Sequence, residues 1–156
     1  MILVTVGSTQ HDNLIKAVDE LVGSRLIKEK VICQIGKGNY EPKNCKWFKF
    51  DPNIDDNYYQ KCSTIICIDS AGTIFRNLEL GNKIIAVRHP NTKGAIDLGK
   101  KLSEEGYIYF VKEPNNVAIM KKEIHKGVIN KKGLKIYLKQ RNNIISRISK
   151  FVIEGI

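Results

Sequence analysis

Short apolar runs alternate along the chain with stretches whose apolar residues recur every three or four positions. "ILVTV" (2–6), "VICQI" (31–35), "KWFKF" (46–50), "TIICI" (64–68), "KIIAV" (83–87) and "YIYFV" (107–111) have strand length and are rich in β-branched or aromatic residues. Between the first two, "DNLIKAVDELV" (12–22) places Leu14, Ile15, Val18, Leu21 and Val22 on one helical face. A short helix is predicted over 55–63, and another from the turn at 69–73 to about Leu80, closed by Gly81 as a C-cap residue. Further helices are predicted over 94–105, ending at Gly106, and over 115–126 and 133–153. Strands that stay apolar on both faces suit a parallel sheet covered on both sides. The alternation therefore predicts an α/β fold, a single doubly wound, Rossmann-like parallel sheet with a C-terminal helix. No linker or repeat divides it, so residues 1–156 read as one domain.

Composition narrows the function. At 42% hydrophobic and 27% charged residues the chain reads as soluble and globular. The apolar run in "MILVTVGST" is too short for a signal peptide, so none is expected, and no run approaches ~18 apolar residues. Cys33, Cys45, Cys62 and Cys67 form no CxxC pair and no two histidines have ligand spacing, so reduced thiols, no metal and a cytoplasmic setting are expected. The net charge of +10 is concentrated late in the chain, where residues 121–150 carry ten Lys or Arg against Glu123 alone. Leu134, Leu138, Ile145, Ile148, Val152 and Ile156 stripe the predicted helix over 133–153. A basic amphipathic helix of this kind suits docking on a partner or an anionic membrane surface better than reading nucleic acid. A solvated helix face would look the same.

In doubly wound sheets ligands bind beyond the carboxyl ends of the strands. Three turns there have unusual composition. "VGSTQHD" offers Gly7 for close backbone approach, the hydroxyls of Ser8 and Thr9, and a following helix whose free N–H groups suit phosphate. An ordinary turn capped by Asp12 is the plainer alternative. "QIGKGNYEPKN" carries Gly36, Lys37, Gly38 and Asn39, and "DSAGT" places Ser70, Ala71, Gly72 and Thr73 between a buried strand and a helix, with Arg76 one turn further in. Two such turns on adjacent strands outline a diphosphate site. No GxSxG elbow, acidic metal pair or glycosidase-type carboxylate pair is present. His11 and His125 read as surface or capping residues, while His89 in "RHPN" faces the site edge.

These motifs, in this order, resemble the small catalytic subunits of two-part glycosyltransferases. "MILVTVGSTQHDNLIKAVDEL" is similar to their opening strand, turn and helix, and "QIGKGNYEPKN" to the following loop. "DSAGTIFRNLELGNKIIAV" resembles their Gly-Ala-Gly-Ser segment, and "KKLSEEGYIYFV" the helix and strand beyond it. The family is the C-terminal domain of glycosyltransferase family 28, the donor half of a GT-B enzyme. The resemblance implies a UDP-sugar site and metal-independent, inverting transfer of a hexose or N-acetylhexosamine to a lipid-linked saccharide. It also implies a separate membrane-anchored subunit that holds the acceptor, and hence peripheral membrane association. By position, Gly7, Ser8 and Thr9 would lie by the diphosphate, Gly36 to Asn39 on the base side, and Ala71, Gly72 and Thr73 on the second phosphate turn.

Two positions depart from the family pattern. Arg76 stands where a ribose-gripping glutamate is usual, and Lys93, Gly94 and Ala95 where an Asn-His-Gln-like triplet meets the donor sugar. Guanidinium is donor-only and favours phosphate, and Lys93 could also reach a phosphate. A chain that keeps the fold as a non-catalytic, regulatory subunit is the alternative. A homo-oligomer is compatible with either.

Overall fold

The computed structural model describes residues 1–91 and 98–130. Strands β1 (Ile2–Thr5), β2 (Val31–Gln34), β3 (Lys46–Phe48), β4 (Thr64–Ile68), β5 (Lys83–Val87) and β6 (Tyr109–Val111) form one parallel sheet in the order β3-β2-β1-β4-β5-β6. Helices α1 (Asp12–Gly23), α2 (Ile54–Asn57), α3 (Ala71–Glu79), α4 (Leu98–Glu104) and α5 (Val117–Ile129) connect or flank the strands. The predicted helix over 133–153 and positions 93–95 lie outside the described residues.

The two-residue period of each strand sorts its side chains into two apolar layers. Ile2, Val4, Ile66, Ile68, Ile85 and Val87 meet Leu14 and Val18 of α1 and Met120 and Ile124 of α5. On the other face Leu3, Ile65, Cys67, Ile84 and Ala86 pack on Ile74 and Leu78 of α3 and Leu102 of α4. Burying each such side chain is worth roughly 1.5–3 kcal/mol. The central strand β4 has no exposed residue. Its partner β1 is joined in register from Ile2↔Thr64 to Thr5↔Cys67.

Several segments are tighter than their apolar runs. β1, β2, β3 and β6 shed one or two residues at their ends, and the predicted helix over 55–63 splits into α2 and a 3-10 turn at Tyr59–Lys61. Gly81, at φ +76, donates its N–H to the Leu78 carbonyl and closes α3 as its position suggested. Three of the four cysteines are buried and all are free thiols.

One polar residue interrupts the apolar face of α1. Asp19 is buried, and its carboxylate accepts hydrogen bonds from Tyr40 Oη (2.9 Å), Lys43 N (3.0 Å) and Asn44 N (2.7 Å). Burial pushes this carboxyl up, but the donors from Lys43, Asn44, Tyr40 and Cys45 outweigh it and hold it below the usual carboxylate range. Asp19 thereby ties the irregular 40–45 segment to α1 and sets the entry to β3.

The chain leaves β1 towards β2 on one side and β4 towards β5 on the other. The strand order reverses between β1 and β4, which opens a crevice above their carboxyl ends.

Candidate functional site

The turns after β2, β1 and β4 stand side by side over that crevice. The first two interlock. Gly7 (φ +61) donates its N–H to Thr5 Oγ1 at 3.1 Å. Thr9 turns its hydroxyl inward, donating to the Val6 carbonyl at 2.7 Å, and its own carbonyl accepts from Lys37 N at 2.8 Å. Gly36 (φ +56) lies directly under this turn, where a Cβ would collide with the Thr9 carbonyl and approach that of Gly7 to 2.8 Å. Asn39 N donates to both carboxylate oxygens of Asp12, at 3.1 and 3.2 Å. Asp12 is therefore a strut between the first two loops and not the N-cap of α1. That role falls to His11, whose Nδ1 accepts from Leu14 N at 3.2 Å. Ser8, Lys37 and Asn39 are exposed at the edge, whereas Gly38 is buried against Asp12.

In the third turn Ser70 is the N-cap of α3 but makes no side-chain capping bond. Ala71 and Gly72 are exposed, and a Cβ built on Gly72 would meet nothing within 4 Å. The start of α3 is thus open to solvent, and no acidic residue in its first turn compensates the positive end of its dipole. Thr73 differs, because its side chain neighbours that of the buried Tyr59, which also neighbours Thr5. Thr5 in turn donates to Gln34 Oε1. A cluster of polar side chains, Thr73 of α3, Tyr59 of the 3-10 turn, Thr5 of β1 and Gln34 of β2, therefore lies beneath the crevice.

Arg76 is half-buried on α3 and already has partners. Its Nε donates to Asp55 Oδ2 at 2.8 Å, a second guanidinium nitrogen lies 2.7 Å from the same oxygen, and Glu79 stands 3.8 Å away. The Asp55 hydrogen bond raises the already high pKa of the guanidinium. Arg76 thus bridges α3 to α2, and its charge is substantially answered within the protein.

Two residues at this edge escaped the sequence reading. Phe50 follows β3 and is 58% exposed, an aromatic surface beside the stacked pair Phe48–Tyr58 whose ring centroids are 4.7 Å apart. Lys49 donates from Nζ to the Gly38 carbonyl at 2.7 Å and braces the second loop. Both fall inside the run 46–50 read as a strand, which ends at Phe48 and leaves them at the site edge.

His11 is 4% exposed, and its Nε2 has no hydrogen-bond partner. Burial lowers its pKa, and the neighbouring His89 lowers it further. The Arg88 carbonyl and the Asp12 carboxylate oppose this without reversing it. His11 borders a pocket of about 240 Å³ between the start of α1, the Pro90–Asn91 turn and Asn115. His89 is half-buried there, its Nδ1 accepting from Asn91 N at 3.1 Å. Among the described residues no three His, Cys, Asp or Glu side chains converge as a metal site would require.

Residues 1–150 match the glycosyltransferase family 28 C-terminal domain. The chain belongs to this family. Comparison with curated protein sequences gives no match. The NMR solution structure of ALG13 is similar in fold over 85% of this family 28 domain and 87% of its own chain, at 15% identity and a TM-score of 0.60. The putative UDP-N-acetylglucosamine 2-epimerase from Listeria monocytogenes aligns over 99% of the domain at 15% identity and a TM-score of 0.62. The glycosyltransferase SnogD from Streptomyces nogalater aligns over 81% at 16% identity and a TM-score of 0.57. The domain spans only 46% and 37% of those last two chains. Family membership supports a glycosyltransferase-type function, and the structural likeness shows the GT-B C-terminal fold.

Proposed function

We propose that the chain is the UDP-sugar-binding subunit of a two-component inverting glycosyltransferase, transferring a hexose or N-acetylhexosamine to a lipid-linked saccharide held by a membrane-anchored partner. One observation carries this reading: the turns at 7–9 and 70–73 adjoin across the β1/β4 reversal, with the start of α3 open. A diphosphate lying there would meet the N–H groups of Ala71, Gly72 and Thr73 and the hydroxyls of Ser8 and Ser70. Gly36 to Asn39 and the face of Phe50 lie on the side where a uracil ring would rest. Such fixed donors stabilise the charge that gathers on the leaving diphosphate without reorganising during reaction. No metal is required in this scheme, and Lys37 and Lys93 would supply cationic charge. The acceptor site and the base that deprotonates its hydroxyl belong to the partner, with which the domain would assemble at the cytoplasmic face.

The ion pair of Arg76 with Asp55 favours a second reading. A guanidinium committed to α2 neither grips a ribose nor freely meets phosphate, as expected of a subunit kept for assembly.

Calorimetric titration with UDP, UDP-N-acetylglucosamine and UDP-glucose, with ADP as control, tests the first reading. Uridine-selective binding is expected, and Gly72→Glu should weaken it at least tenfold. The added side chain has open space and an acidic residue suits a helix start, so this variant should fold normally. Binding that ignores Gly72→Glu would remove the diphosphate from this turn. No binding with or without the partner subunit would leave the assembly role.

A further inference from the structure

Five large apolar side chains are exposed among the described residues, and two of them, Ile119 and Ile129, lie on α5. At about 100° per residue, Ile119, Lys122, Lys126 and Ile129 fall within roughly 80° of one another around the helix. All four are exposed, while Met120, Ile124 and Gly127 occupy the opposite, buried side. A Cβ on Gly127 would come within 3.0 Å of Ile85 Cδ1. The helix is thus pressed onto β5, and its outer stripe is the outside of the molecule.

The direction of that stripe is fixed at both ends. Asn116, which follows β6 and caps the start of α5, accepts from Ile119 N at 3.0 Å. At the other end Lys83, the first residue of β5, donates from Nζ to the carbonyls of Val128 and Asn130, both at 2.9 Å. The axis of α5 therefore runs from the carboxyl edge of the sheet to its amino edge. Its outer flank faces sideways from the crevice.

The chemistry of the stripe selects what covers it. Lys126 is paired with Glu123 at 2.8 Å, whereas Lys122 has no such partner among the described residues. Glu123 is the only acid on α5, and residues 131–150 add seven Lys or Arg with no acid. Lysine is depleted at the cores of protein interfaces, which disfavours a folded protein as the occupant. At the boundary of an anionic bilayer the same pattern is favourable. Isoleucine enters the acyl margin, and a lysine beside it lays its stem along apolar surface with its ammonium among the phosphates. Among the described residues no helix is long and apolar enough to cross a membrane, so contact through α5 stays at the surface.

We propose that the outer stripe of α5, Ile119, Lys122, Lys126 and Ile129, is a docking surface for the headgroup region of an anionic phospholipid bilayer. The chain then touches the membrane itself, whether or not a membrane-anchored partner is bound. With α5 lying flat, the crevice at the carboxyl ends of β1 and β4 opens along the bilayer plane, towards whatever is embedded beside it. This goes beyond the nucleotide reading and is tested without nucleotide, so either can fail alone.

The test uses the full chain and vesicles of brominated phosphatidylcholine, with and without phosphatidylglycerol. Trp47, the single tryptophan, stands on β3 at the far edge of the sheet. Ile119→Trp and Ile129→Trp are each combined with Trp47→Phe. The parent should co-sediment with anionic vesicles at least fivefold more than with neutral ones, and its Trp47 should stay unquenched. Both new tryptophans should be quenched by the brominated lipid. Ile119→Ser with Ile129→Ser, both at exposed positions, should weaken co-sedimentation at least threefold. Vesicle binding with neither new tryptophan quenched would put the contact on the basic residues after 130 and overturn the proposal. Unchanged binding by the serine pair, or no binding by the parent, would overturn it as well. A parent that ignores vesicles but joins a membrane-anchored protein, in a complex the serine pair breaks, would make the stripe a protein interface instead.

Discussion

Gly7 and Gly36 have nearly the same left-handed backbone, φ +61 and +56, yet they should respond very differently to substitution. A Cβ on Gly7 would enter empty space, whereas one on Gly36 would strike the carbonyl of Thr9. For Gly7→Ala the cost is therefore the left-handed conformation alone, roughly 1–2 kcal/mol. Gly36→Ala carries the same cost and must also push the first turn off the second. It should lose distinctly more, about 3 kcal/mol once an overpacking cost of the same order is added. Chemical denaturation of the two variants checks this, and equal losses would show that the turns are not interlocked as described. The comparison also bears on function, because a displaced Thr9 carbonyl would release Lys37 N and shift both turns proposed to meet the nucleotide.

At the level of elements, α3 is tied down by its first turn and by its flank. The side chain of buried Tyr59, in the 3-10 turn, neighbours Thr73 at the start of α3 and Thr5 at the end of β1. Tyr59→Phe keeps the ring and removes only the hydroxyl, so it should destabilise by about 1–3 kcal/mol, the range for a buried polar group losing its partner. If the hydroxyl also aligns the phosphate turns, the variant should bind UDP more weakly than its stability loss alone would produce at a temperature where it is fully folded. Unchanged affinity would make the cluster of polar groups purely structural. None of this was legible in the sequence. The strands and helices were, because apolar periodicity records which face each element buries, and the glycine- and hydroxyl-rich turns marked the carboxyl edge of the sheet. Tyr59, Asp19 and the Asp55 partner of Arg76 went unread because each depends on a side chain meeting a segment distant in sequence. His11 looked like a cap and is one, but nothing in "TQHDN" reveals that the β5 turn covers it. Arg76 read as a spare cation at a phosphate turn, and only the position of α2 shows that its charge is met.

At the scale of the whole molecule, His11 couples the start of α1 to the turn after β5, so its protonation should be felt as global stability. Burial and the adjacent His89 hold its pKa below the usual histidine value in the folded chain, while in the unfolded chain it returns to about 6.5. The unfolded state therefore takes up the proton first as pH falls. The full contribution of neutral His11 is present above about pH 6.5 and is lost as pH falls through the lower, folded value. Acid adds this cost to a chain already at +10, whose self-repulsion gives no compensation. His11→Asn retains an N-cap acceptor for Leu14 N but cannot titrate. Melting temperatures followed from pH 7.5 downward, towards the range where carboxylates begin to protonate, should fall for the parent and stay flatter for His11→Asn. Parallel curves would mean that His11 is protonated in the folded state without penalty. Its Nε2 would then already have an acceptor, and the packing of α1 against the β5 turn would not depend on a neutral ring.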